Sequence, residues 1–168
     1  PDGAAELRPA DYIMVGGAVL VGIWTCFALY KIARDKRTHY QGLRAEMATA
    51  QEVTAALMGN QRLINDVVGD GFNIDHVVVS PAGVFAIETK SRRKLAVGNG
   101  KPKVSYDGKS LKFTDWTETE PLAQAVRQAQ WLKGHLQKAT GQSYAVQPVL
   151  ALPGWFVEAK VPPNAQEV

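Results

Sequence analysis

The chain has 168 residues, of which 46% are apolar and 21% are charged, so its composition excludes a wholly disordered protein. Its single cysteine excludes intrachain disulfides and multi-cysteine zinc sites. The formal net charge of +3 is unevenly spread, because only one of the 19 basic residues, Arg8, precedes residue 31. The basic excess therefore belongs to the part of the chain that follows residue 30.

The first predicted element is a membrane-spanning helix over residues 12–30, a run of 19 residues without a charge. An α-helix rises about 1.5 Å per residue, so this run matches the roughly 30 Å hydrocarbon core of a bilayer. A buried core helix and a cleaved signal peptide are the alternatives. A signal peptide requires basic residues before the apolar run, whereas here they follow it. The membrane helix is therefore the preferred interpretation.

The charges on either side of this run predict the orientation of the chain. Residues 1–11 form a short tail with three acids and one base, and residues 31–41 form a basic juxtamembrane linker. The positive-inside rule then predicts a single-pass protein with its N-terminus outside and the rest cytoplasmic. Ala18, Gly22 and Cys26 form a stripe of small residues, which permits a helix-mediated homo-oligomer.

Residues 42–160 are predicted to form one globular domain, and residues 161–168 a linker or tail. Helical periodicity, β-branched runs and turn residues predict the elements in this order: a helix over 42–58, strands over 63–68, 74–80 and 84–89, a hairpin over 104–113, a helix over 121–139 and a strand over 146–152. This order predicts an α/β or α+β domain with a mixed central sheet.

The polar residues of the central hairpin are the strongest candidates for chemistry. Glu88 and Lys90 lie two residues apart in a predicted strand, so their side chains leave the same face. Asp75 begins the preceding strand, and strand pairing brings its carboxylate close to Glu88. Two converging carboxylates suit Mg²⁺, and a nearby lysine can orient water or neutralise developing charge on a phosphate. A surface salt bridge is the alternative interpretation of the same residues.

The segment IDHVVVSPAGVFAIETK resembles the signature of the nuclease-related domain (NERD) family. The segments QEVTAAL and EPLAQ resemble two further elements of that family, a helical Gly-Glu element and an Asn-Pro-x-x-Gln element. The resemblance covers about residues 44–152 and implies a restriction-endonuclease-like fold with a D…E-x-K site. In that α/β fold, helices flank the mixed central sheet. The resemblance also implies that one site is lined by Glu52, Asp75, Glu88, Lys90 and Gln124, with Asp75 and Glu88 as ligands of Mg²⁺ or Mn²⁺.

Two more polar residues lie on the predicted helices. Glu46 is a second acid on the first helix, and we assign it to the solvent face. Gln128 follows Gln124 by four residues and therefore shares its helix face. Without the resemblance, this glutamine pair reads equally well as a solvated stripe.

The segment over residues 90–112 carries eight basic residues and one acid, Asp107. We predict that it contacts phosphates through Arg92, Arg93, Lys94, Lys101, Lys103, Lys109 and Lys112. Tyr106 and Trp116 are predicted to stack on exposed bases. A solvated basic loop is the alternative.

The sequence thus favours a membrane-anchored, Mg²⁺- or Mn²⁺-dependent nuclease that hydrolyses phosphodiester bonds, with DNA as the preferred substrate. The first alternative is a catalytically inactive nuclease-like domain that binds nucleic acid or a protein partner at the membrane. A membrane scaffold recruited through its helix is a third interpretation. Fold alone does not decide among them.

Overall fold

The computed structural model describes residues 8–92, 94 and 102–160. The described elements, in chain order, are α1 (Pro9–Ala56), β1 (Arg62–Val68), β2 (Asn73–Ser80), β3 (Gly83–Thr89), β4 (Lys103–Tyr106), β5 (Leu111–Lys112), β6 (Thr117–Glu118), α2 (Glu120–Thr140), β7 (Val146–Ala151) and β8 (Phe156–Ala159). The chain divides into two compact units, residues 1–41 and 42–168. The predicted mixed α/β class is confirmed.

Helix α1 runs without a break through 48 residues. Residues 31–41, which we predicted as a linker, are helical: they contain neither glycine nor proline, and four of the 11 residues are the good helix formers Lys and Arg. By length and composition, α1 is able to cross a membrane. The apolar side chains over residues 12–30 are exposed around the helix, with Leu20 and Trp24 exposed by 69% and 71%.

The second unit contains a four-stranded sheet in the order β1-β2-β3-β7. β1, β2 and β3 are antiparallel neighbours, whereas β7 pairs with β3 in parallel. The Pro81–Gly83 turn that joins β2 to β3 uses a positive φ of 135° at Gly83, a conformation that favours glycine. The predicted hairpin over 74–89 and the predicted strand over 146–152 are thus present as β2, β3 and β7, and each strand differs from its predicted bounds by one residue at one end.

Helix α2 covers one face of this sheet. Ala125, Ala129 and Leu132 are among its buried residues, and their spacing of three and four residues forms one helical stripe. Ala129 and Leu132 belong to the same buried cluster as four sheet residues, Ile74, Val77, Val84 and Ala86. The helix ends at Gly141, whose φ of 74° allows its N–H to bond the Gln137 carbonyl.

A second sheet, in the order β6-β5-β4-β8, follows β3 in sequence. Its core consists of Val104, Tyr106, Leu111, Phe113, Leu122 and Leu152. We predicted a single central sheet, whereas the described chain has two, because β4 pairs in parallel with β8 rather than with the first sheet. Strands β6 and β8 were not predicted; β8 is four residues long and exposed throughout.

Candidate active site

Strand register brings Asp75 and Glu88 to neighbouring positions. His76 pairs with Ile87 and Val77 with Ala86, and the same register continued by one residue sets position 75 opposite position 88. The backbone N–H of Thr89 donates a 2.7 Å hydrogen bond to Asp75 Oδ2. Two acids that lie 13 residues apart in sequence therefore share one end of the β2–β3 pair.

Glu88 is the most enclosed acid of the site, with only 2% of its surface exposed. Its Oε1 accepts a 2.8 Å hydrogen bond from Gln124 Nε2, and its Oε2 accepts a 2.6 Å bond from Gln128 Nε2. The ammonium of Lys90 forms an ion pair with Oε1. A buried carboxylate is costly unless it is paired and hydrogen-bonded, and here two amides and one cation meet that requirement.

The two glutamines come from one face of α2, because four residues complete slightly more than one helical turn. Gln128 is itself buried, and its Nε2 also donates to the Asn73 carbonyl at 3.1 Å. The structure thus brings Gln124 to Glu88, as the resemblance implied, and adds Gln128. Our site prediction did not include Gln128, although its spacing from Gln124 was a usable signal.

Asp75 is half-buried, and its surroundings favour the protonated form. Burial, together with the negative charges of Glu88 and Glu46, raises its pKa from 3.8 to about 6, although the Thr89 N–H and the Lys90 charge oppose the shift. Three acids and one lysine therefore act on a single small region.

The acid of α1 that acts on this region is Glu46 rather than Glu52. Glu46 is half-buried and follows Ala45, one of the two buried residues of α1, whereas Glu52 is exposed. A step of six residues turns a helix by about 600° and advances it by about 9 Å, so the two acids leave different faces. Among the described residues, no hydrogen bond or ion pair joins Glu52 to Asp75, Glu88 or Lys90. Our assignment of Glu46 to the solvent face was wrong.

His76 occupies the position next to Asp75 but has a different environment. It is 3% exposed, and its Nδ1 lies 2.8 Å from Asn65 Oδ1 on the neighbouring strand. Burial lowers its pKa, so the neutral ring is favoured. These contacts describe a histidine that links β1 to β2.

Among the basic side chains predicted to contact phosphate, some form ion pairs within the fold and others are exposed. Arg92 is held by Glu118, and Lys112 Nζ lies 2.9 Å from Asp107. Lys103 is exposed and lies 5.8 Å from the centre of the Phe156 ring. Lys94 is exposed as well, and Lys109 belongs to the exposed turn between β4 and β5. Arg93 and Lys101 lie outside the described residues.

The two predicted stacking residues are already engaged within the fold. Tyr106 is 5% exposed in the core of the second sheet. Trp116 stacks on Phe113 with 4.5 Å between ring centres and donates its indole N–H to Glu118. Tyr106 is therefore too buried to stack on a base, and one face of the half-buried Trp116 ring is already covered by Phe113.

Three comparisons with known proteins place this site in context. The family model described as nuclease-related domain matches residues 41–153, which is more than half of the chain. That range contains Glu46, Asp75, Glu88, Lys90 and both glutamines of α2. No curated protein and no solved structure gives a significant match.

Proposed function

Because this chain belongs to the nuclease-related domain family, we propose that it is a metal-dependent nuclease that hydrolyses phosphodiester bonds of DNA. The observation that carries this proposal is the convergence of Asp75, Glu88 and Lys90 at one end of β2 and β3. Two acids and a lysine are the groups expected where a phosphate is attacked by water. Gln124 and Gln128 hold one of these acids in a fixed position.

The residues present fit a hard divalent cation, Mg²⁺ or Mn²⁺. Carboxylate oxygens are the ligands that such ions prefer. Burial first, and the negative charges of Glu88 and Glu46 second, raise the pKa of Asp75, and a bound cation would oppose both effects by favouring the ionised carboxylate. Asp75 and Glu88 would hold the ion. When bound, it would supply a Lewis acid for the phosphate and lower the pKa of a water molecule.

The protein residues have separate tasks in this proposal. Glu88 is fixed by the two glutamines, so it presents the same carboxylate position to each substrate. Lys90 contributes a positive charge that stabilises the negative charge developing on the phosphate or orients the attacking water. Glu46 contributes to the negative potential around Asp75.

We further propose that the chain is anchored in a membrane through residues 12–30, with the nuclease-related domain in the cytoplasm. The support is the length and apolar composition of α1 together with the basic residues that follow it. Anchoring would restrict the nuclease to nucleic acid that reaches the membrane surface.

A second candidate function, nucleic-acid binding without cleavage, is favoured by a specific observation. Among the described residues, no group of three or more His, Cys, Asp and Glu side chains is arranged to hold a metal ion. In addition, both oxygens of Glu88 already accept hydrogen bonds. Under this interpretation, Lys90 and the two glutamines stabilise a buried acid whose catalytic use has been lost.

Cleavage by the full chain in detergent micelles separates the two candidates. We expect wild-type protein to cleave duplex or single-stranded DNA with millimolar Mg²⁺ or Mn²⁺ and to be inactive with EDTA. Lys90→Ala should abolish cleavage while the metal-induced rise in melting temperature persists. Glu88→Gln should abolish both. Wild-type protein that binds DNA but shows neither a metal-induced shift nor cleavage would refute the nuclease and support the binding module.

A further inference from the structure

The short segment that carries Lys90 is fastened to the fold on both sides. The backbone N–H of Lys90 donates to the Ala151 carbonyl of β7 at 2.9 Å. Two residues later, the Arg92 guanidinium forms an ion pair with Glu118 of β6. The indole N–H of Trp155 also reaches the Arg92 carbonyl, at 3.4 Å. The segment is therefore attached to the first sheet at Lys90 itself and to the second sheet at Arg92.

The Arg92–Glu118 contact has the geometry of a strong, directional pair. Arg92 Nε lies 2.8 and 3.0 Å from the two Glu118 oxygens, and Nη2 lies 2.6 Å from Oε2. Both side chains are about one-quarter exposed. A planar guanidinium that meets a carboxylate through two nitrogens fixes orientation as well as distance.

Glu118 is in turn held by the aromatic residues of the second sheet. Trp116 donates its indole N–H to Glu118 Oε1 at 2.8 Å and stacks on the buried Phe113. Burial opposes ionisation of Glu118, but the bonds from Arg92 and Trp116 and the charges of Arg92 and Lys90 lower its pKa overall. Lys90 therefore lies close enough to Glu118 for their charges to interact.

We propose that Arg92 and Glu118 are positioning residues that hold the Lys90 segment against Glu88, and that Arg92 does not bind phosphate. This inference rests on the proposed function, because it assigns the pair a task in the reaction of that site. It explains why a basic residue next to the site is neutralised by an acid 26 residues away in sequence. Arg92 donates to Glu118 through Nε and Nη2 and to the Ser91 carbonyl through Nη1, so each of its nitrogens is engaged within the fold and the ion pair has no net charge to offer a phosphate.

The two roles for Arg92 predict different kinetics in the full chain in micelles. If the pair positions Lys90, Arg92→Ala and Glu118→Ala should each reduce kcat by about tenfold to a hundredfold, with KM for DNA unchanged. The double variant should be no slower than the slower single variant, because both changes break one contact. Glu158→Ala, which removes the acid from an exposed ion pair with Lys160, is the matched control and should keep wild-type kinetics.

A phosphate contact predicts the opposite pattern. Arg92→Ala would then raise KM and reduce the salt dependence of DNA binding by about 0.9 in log–log slope. Glu118→Ala would release the arginine and tighten binding. Either result would overturn the proposal. Melting temperatures identify a variant that fails to fold. If Arg92→Ala does not fold, Arg92→Lys replaces it, because lysine retains the charge but cannot make the two-nitrogen contact. Arg92→Lys should show the same loss of kcat.

A readout independent of cleavage separates this inference from the proposed function. Hydrogen exchange of the Lys90 amide reports its bond to Ala151, and we expect it to accelerate about tenfold or more in both single variants. The amide of Ile87 within β3 should exchange at the wild-type rate. If wild-type protein cleaves nothing but Lys90 exchange accelerates, the proposed function fails while the structural role of the pair stands. Unchanged Lys90 exchange in both variants would overturn the role of the pair even in an active enzyme.

Discussion

Replacing Asp75 with asparagine should stabilise the metal-free protein at neutral pH. The folded protein holds the Asp75 proton more tightly than the unfolded chain, because the pKa rises from 3.8 to about 6 on folding. The contribution of Asp75 to the free energy of unfolding should therefore be fully present below about pH 4, be lost as the pH rises through about 6, and stay constant above that. The substituted amide would carry no charge, and its side-chain oxygen would still accept the Thr89 N–H.

The magnitude follows from the size of the shift. A difference of about two pKa units corresponds to at most about 3 kcal/mol, at about 1.4 kcal/mol per unit. Because Asp75 is half-buried, solvent screening reduces the expected effect to about 1–2 kcal/mol. Asp75→Asn should therefore raise the free energy of unfolding by about this amount at pH 7.5, and the gain should disappear near pH 4.

Urea denaturation of the full chain in micelles with EDTA, followed by tryptophan fluorescence between pH 4 and 8, measures this difference. Asp115→Asn, at an exposed position, is the control and should be indistinguishable from wild type at each pH. A gain from Asp75→Asn that is the same at pH 4 and pH 7.5 would refute the reasoning. A loss of stability at pH 7.5 would refute it as well.

Two further predictions follow from α1. Glu46→Gln should lower the pKa of Asp75 because the charge of Glu46 raises it, whereas Glu52→Gln should leave that pKa unchanged. A ¹³C NMR titration of the Asp75 carboxyl measures both effects. A larger effect of Glu52→Gln than of Glu46→Gln would contradict the placement of the two acids. Alkaline carbonate should not release the full chain from membranes, since residues 12–30 expose an uncharged surface long enough to span a bilayer. Recovery of the chain in the wash would exclude a spanning helix, and a variant without residues 9–30 is the soluble control.

The structural features that the sequence predicted well depend on interactions between residues that are close together in the sequence. The β2–β3 hairpin follows from two β-branched runs separated by Pro81-Ala82-Gly83, and its register follows from the short turn. That register alone brings Asp75 to Glu88. The continuity of α1 across residues 31–41 was not predicted. Helices were located by their apolar periodicity, which is interrupted over these residues, although the residues themselves have good helix propensity.

The features that the sequence could not predict depend on tertiary contacts. Glu46 and Glu52 lie on the same helix, and only the burial of Ala45 and Thr49 shows which face is covered. The four-residue strand β8 has no pattern of its own and exists because it pairs with β4, 53 residues earlier. Arg92 was interpreted as one of many bases, since nothing local indicates that Glu118 neutralises it.

The two parallel strand pairs also have a consequence for the order of folding during synthesis. β3 cannot complete its pairing until β7 has been synthesised, and β4 cannot do so until β8 has been synthesised. Both partner strands lie in the short segment 146–159. Until the ribosome has released that segment, β3 and β4 are themselves unpaired edge strands, to which another nascent chain can add a strand. The pairings that complete the two sheets therefore both come late in synthesis, and their long range in sequence makes them slow. Demand for chaperones should be greatest just before this segment emerges.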